Sequence, residues 1–77
     1  MSISMKMLAV GDRGKIIGFD NSAKAYRKRL LAMGLTPGTD FLVTRFAPLG
    51  DPVEIKIRGF SLTLRKNEAD VLLIEKL

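Results

Sequence analysis

Val53-Glu54-Ile55-Lys56-Ile57-Arg58-Gly59-Phe60-Ser61-Leu62-Thr63-Leu64-Arg65 decides how this chain is read. Val53, Ile55 and Ile57 alternate with Glu54, Lys56 and Arg58, a period of two that sends one set of side chains to a core and the other to water. Phe60, Leu62 and Leu64 repeat the alternation against Ser61, Thr63 and Arg65, and Gly59 marks the sharp bend or bulge between the two segments. Two consecutive strands joined so tightly make the chain β in character.

Outward toward the N-terminus, Pro48-Leu49-Gly50-Asp51-Pro52 is a loop bracketed by prolines, and residues 40–47 before it read as another strand. Thr36-Pro37-Gly38-Thr39 suits a type II turn, since Pro fixes φ at its second position and Gly accepts φ above zero at its third. Residues 22–33 contain no Pro, Gly or β-branched residue, and Asn21 or Ser22 offers an N-cap oxygen. A helix of about three turns is expected there. Gly34 stands where a left-handed cap ends such a helix, and Leu35 can fold back onto its last turn. Residues 14–19, Gly-Lys-Ile-Ile-Gly-Phe, read as a first strand, residues 65–70 as a helical turn and residues 71–75 as a last strand. The fold class that follows is mainly β: a small SH3-like, five-stranded, partly open barrel with one inserted α-helix, in which closure limits exposed strand edges. Residues 1–77 form one domain, with methionine-rich residues 1–7 expected to be flexible or docked on a partner. Such a segment offers a route to weak homo-oligomers.

Apolar residues make up 47% of the 77, enough to bury a core without disulfides or a structural metal. Cysteine and histidine are both absent, which removes the thiolate and imidazole ligands that transition metals prefer. Asp51 and Glu54 alone fall short of the oxygen shell of a hard cation, so neither a metal site nor a cofactor is expected. Ala9-Val10-Gly11-Asp12-Arg13-Gly14-Lys15-Ile16 has the outline of a phosphate loop but lacks its first glycine and its hydroxyl residue. With no histidine and no carboxylate pair at a telling spacing, no catalytic site is expected and the chain reads as a non-enzyme. The net charge of +5 favours acidic partners. Lys6 interrupts the only apolar stretch near the start, so neither a leader nor a membrane span is expected and the location reads as cytoplasmic.

Two surfaces offer themselves for contact. At about 100° per residue, Ala23, Tyr26, Leu30 and Met33 share the helix face that packs on the barrel, while Lys24, Arg27 and Lys28 surround Leu31 on the opposite face. A leucine ringed by cations is a candidate anchor, set against the plainer reading of a solubilising face. In the loop, Pro48 and Pro52 hold Leu49, Gly50 and Asp51 with little entropy left to lose on docking, set against the plainer reading in which Leu49 tucks under its own loop.

Read together, Gly14-Lys15-Ile16-Ile17-Gly18, Tyr26-Arg27-Lys28-Arg29-Leu30-Leu31-Ala32-Met33-Gly34-Leu35-Thr36-Pro37-Gly38, Ala47-Pro48-Leu49-Gly50-Asp51-Pro52 and Leu62-Thr63-Leu64-Arg65-Lys66 resemble the ferrous-iron transport protein A family. The resemblance implies a non-enzymatic cytoplasmic accessory of ferrous-iron uptake. It implies as partner a ferrous-iron membrane transporter that carries a cytoplasmic GTPase domain, with the membrane reached only through that partner. The alternative is a small basic barrel that binds RNA. Against it, Tyr26 and most of the four phenylalanines are needed in the core, which leaves few rings to stack bases, and no nucleic acid is expected.

Overall fold

The computed structural model describes residues 3–49 and 51–77. In chain order it contains a short 3-10 helix (Met5–Met7), β1 (Arg13–Phe19), a second 3-10 helix (Asn21–Ala25), α1 (Arg27–Ala32), β2 (Asp40–Phe46), β3 (Val53–Ile57), β4 (Phe60–Leu64), α2 (Lys66–Asp70) and β5 (Leu72–Lys76). The five strands form one antiparallel sheet in the order β4-β3-β2-β1-β5. Among the described residues β4 and β5 do not pair, so the curled sheet stays open along that side. Its curvature has two local causes. The register shifts between Ile16 and Gly18 of β1 and again between Val43 and Arg45 of β2, and an extra residue on one strand bends and twists it.

The β3 alternation is realised in full: Val53, Ile55 and Ile57 are buried with Ile16, Phe41, Val43 and Ile74 from the neighbouring strands. On β4 it fades. Leu64 is buried and Leu62 half-buried, but Phe60 is 46% exposed. β4 is the outermost strand, so a side chain near its hairpin end has no further strand to lie under. The Phe60 ring rests instead over the end of α1, its Cζ 3.8 Å from where a Cβ on Gly34 would stand.

The expected three-turn helix is a correction. The chain makes a 3-10 helix, a break at Tyr26, and only then α1. Lys24, Arg27, Lys28 and Arg29 crowd this stretch with no acid among residues 21–33, and like charges three and four apart oppose a continuous helix. The cations also sit near its start, where the helix end already carries positive charge. The side chain of Ala23 lies outside what the structure describes, while Leu30 is buried and Tyr26 and Met33 pack against the core. The stop is as expected. Gly34 has φ +94°, its N–H donates to Leu31 O at 3.0 Å and the Leu35 N–H donates to Leu30 O at 3.0 Å, both bonds of a Schellman cap. Leu30 and Leu35 are thereby brought together in the core. The following turn is also present, with Gly38 at φ +93° and the Thr39 N–H donating to Thr36 O at 3.1 Å.

Residues 1–7 are a second correction, as far as they are described; Met1 and Ser2 lie outside the described residues. Ile3 exchanges backbone hydrogen bonds with Ile74 on the outer edge of β5, at 2.7 and 3.1 Å, and Met5 and Leu8 are buried in the core. An unbranched methionine fills an irregular gap well, and the strand edge gains a partner it would otherwise lack. No helix among the described residues is long and apolar enough to cross a membrane.

Gly14, which stood in the rejected phosphate-loop outline, has a packing reason. It pairs with Phe41 across β1 and β2, and a Cβ there would stand 2.6 Å from Phe41 Cζ and 3.0 Å from Ile74 Cγ2. Gly14→Ala is expected to cost about 1–3 kcal/mol through this overpacking, read as a lower melting temperature. Gly18→Ala, whose Cβ would meet only Leu73 Cδ1 at 3.8 Å, is the control and should melt near the wild type.

Candidate docking surface

The two surfaces singled out from the sequence differ in how firmly they are built. In the loop, the Ala47 N–H donates to Pro52 O at 3.0 Å and closes its base. A second tether comes from outside: Asp51 Oδ1 accepts the N–H of Lys66, the first residue of α2, at 2.9 Å. That amide is one of the donors a helix start leaves without an internal partner, so the contact settles the helix and pins the loop at once. Asp51, read as a contact residue, is thus committed to the domain's own architecture. Pro48 and Pro52 are exposed, Gly50 lies outside the described residues, and Leu49 stands at the tip with 95% of its surface in solvent.

The helical patch is looser. Lys24, Arg27 and Lys28 are exposed, and Leu31, at 37%, is only just so. Arg27 is not free to swing, because its guanidinium carbon lies 5.9 Å from the Phe19 ring centroid, a cation–π contact at the rim of the core. Lys24 and Arg27 share with Phe19 and Pro37 a shallow cavity of about 300 Å³.

The loop and the cationic patch do not merge into one surface. The α1 residue on the loop's side is Arg29, which lines a cavity of about 420 Å³ together with Asp51, Pro52, Thr63, Arg65 and Glu68. Arg29 lies about 160° round α1 from Leu31. Its partner is Glu68, a residue the sequence reading passed over. The Glu68 side chain is buried, its Oε1 accepts the Arg65 N–H at 3.0 Å, and its Oε2 has no hydrogen bond but sits 3.3 Å from Arg29 Nε. Arginine has no acceptor to offer, so Arg65 cannot complete a capping box and only the Glu68 half of it forms. Glutamate three residues into a helix is a local signal that could have marked this cap. The ion pair to α1 has no such signal. Among the described residues no three carboxylates gather as a metal site would require.

Comparison with known proteins gives the surrounding context. The model of the FeoA domain matches residues 3–76. A curated relative from Porphyromonas gingivalis, an Fe(2+) transport protein A/Fe(2+) transporter FeoB fusion protein, is 34% identical over 68 residues; these cover 88% of this chain but 8% of that protein. This chain therefore spans under a tenth of the curated relative's length. The NMR structure of a FeoA-like protein from Clostridium acetobutylicum matches with a TM-score of 0.88 and 34% identity, over 99% of this chain and 87% of that one. For the fold alone, FeoA of Stenotrophomonas maltophilia complexed with zinc, a prokaryotic SH3 domain protein, matches with a TM-score of 0.75 at 20% identity, over 97% of this chain and 89% of that one. The architecture is mainly β and SH3-like.

Asp51→Ala should remove the cap on Lys66 and release one end of the loop. We expect a loss of about 1 kcal/mol. Amide hydrogen exchange at Lys66 should quicken, while exchange in β1 stays as in the wild type.

Proposed function

The chain belongs to the FeoA domain family, and from that premise we propose that it is a non-enzymatic cytoplasmic accessory of ferrous-iron transport that docks on the membrane transporter. The fusion relative supports the choice of partner, because its name joins a transport protein A part and a transporter part in one chain. The partner's cytoplasmic GTPase domain, implied by the family resemblance, is the natural place of contact. The single observation that carries the docking mode is Leu49, an apolar side chain 95% exposed at the tip of a loop tied down on both sides. A solvated leucine held in one place loses little entropy on entering a pocket, the usual property of an interface anchor. Leu31 with Arg27 and Lys28 of α1, joined by Lys24 from the 3-10 helix before it, is the second contact in this reading, on the flank of α1 away from Arg29.

Leu49→Ala and Leu31→Ala should each weaken binding to the detergent-solubilised transporter by about 1 kcal/mol or more, whereas Lys28→Glu should mainly slow encounter. Because the two patches lie apart, the losses should add in the double variant. Leu30→Ala is the control, a core truncation costing about 2–5 kcal/mol of stability. Wild-type affinity in both surface leucine variants and in Lys28→Glu together would refute this docking mode.

Iron itself is cargo of the transporter in this reading. With neither cysteine nor histidine in the chain and no acidic triad among the described residues, anaerobic calorimetry with Fe(2+) should give only weak heats. A stoichiometric micromolar site would make a metallochaperone the better reading.

A further inference from the structure

The outer face of the sheet carries a feature that the docking mode above does not use. Arg13 on β1 faces Leu42 on β2, and Leu42 faces Lys56 on β3, so the three stand in one row across the strands. Residues directly opposite share a face, and here it is the outer one, because the alternating Phe41, Val43, Ile55 and Ile57 point inward and are buried. Arg58, at φ +46° in the β3–β4 hairpin, adds a third cation to the same depression, which has a volume of about 590 Å³.

Elsewhere cations of the sheet stand opposite or beside acids. Lys15 stands between Asp40 and Glu75 in the register, and Lys76 Nζ lies 3.6 Å from Asp12 Oδ2. Glu54, two residues before Lys56, accepts a hydrogen bond from Thr44 Oγ1 at 3.2 Å. Arg13, Lys56 and Arg58 make no ion pair among the described residues, and the one acid lining their depression is Asp40.

We propose that this row binds an extended acidic segment of a partner protein, with two carboxylates four residues apart reaching Arg13 and Lys56 and the apolar side chain midway between them resting on Leu42. The spacing follows from the backbone. Two strand separations are about 10 Å, while residues i, i+2 and i+4 of an extended chain share one face and place the outer pair about 13 Å apart, a difference that the long side chains of Arg13 and Lys56 cover. A second copy of this chain is a poor occupant, since each carries a net charge of +5. A nucleic acid is also poorly served: the aromatic ring lining the depression, Phe41, is buried at 2% exposure and offers no face for a base to stack on. This inference stands apart from the Leu49 and Leu31 contacts and can fail without them.

The test is a titration of the full chain, followed by amide chemical shifts, with a synthetic peptide holding two glutamates four residues apart with a leucine midway between them. At low salt we expect a dissociation constant of about 0.1–1 mM, with the largest shifts at Leu42, Lys56 and Gly59. Arg13→Glu/Lys56→Glu should weaken binding by about tenfold or more, and the milder Arg13→Gln/Lys56→Gln, with an unchanged melting temperature, should fall between it and wild type. Lys24→Glu/Lys28→Glu changes the net charge equally in the helical segment away from the sheet face and should alter affinity by less than about twofold. Leu49→Ala should bind the peptide as wild type does. An equal loss in the Lys24/Lys28 pair would reduce the effect to net charge and overturn the proposal. So would the absence of peptide binding, or tighter binding of an oligouridylate to the same amides.

Discussion

The free amides at the start of α2 hold together the side of the molecule that carries the loop. A short helix cannot satisfy its own first N–H groups, so they must be met from elsewhere. Here Asp51 takes the N–H of Lys66 and Glu68 takes that of Arg65. Each carboxylate then does something further. Asp51 fixes the far end of the proline-bracketed loop, and Glu68, buried, draws Arg29 of α1 to within 3.3 Å. Loop, α1 and α2 are therefore positioned relative to one another by one turn of backbone, although they come from three separate stretches of chain. If this cap were lost, the Leu49 tip would keep its exposure and lose its fixed direction.

Beneath this lies a core filled from more sources than the strands. A sheet curled this tightly leaves room for few side chains, and the fit at Gly14, where Phe41 occupies the space of a side chain, shows how little slack remains. Leu30 and Leu35 enter together because the Schellman cap reverses the chain between them. Met5 enters from the opposite end of the sequence. In a chain of 77 residues, recruiting the N-terminal segment enlarges a core that the strands alone would leave small.

What could be read from the sequence was what is local. The alternation in β3, the glycine stop at Gly34 and the Pro37-Gly38 turn each depend on residues within a few positions of one another, and each appears in the structure where expected. The helix of residues 22–33 failed because propensity was weighed without the repulsion among four cations. Phe60 failed because burial on a strand depends on the strand's place in the sheet, which alternation does not report. In the loop, the flanking prolines made the constraint on Leu49 legible, but they left open whether its side chain tucks under the loop or stands in solvent, as it does. The commitment of Asp51 was not legible, since its partner lies 15 residues on. The Arg29 and Glu68 pair and the row of Arg13 and Lys56 are longer-range still and exist only once the strands and helices are in register.

The place of β4 at the margin of the sheet bears on how the molecule behaves among its own copies. Among the described residues no strand pairs with the outer side of Phe60-Ser61-Leu62-Thr63-Leu64, and the strand has neither a proline nor a lysine in it to discourage pairing. Arg58 and Arg65 flank the strand, and the whole chain carries an excess of positive charge. Edge protection in this molecule is thus electrostatic and not geometric. Colloidal stability then depends on ionic strength: added salt shortens the reach of the repulsion and leaves the strand edge less protected.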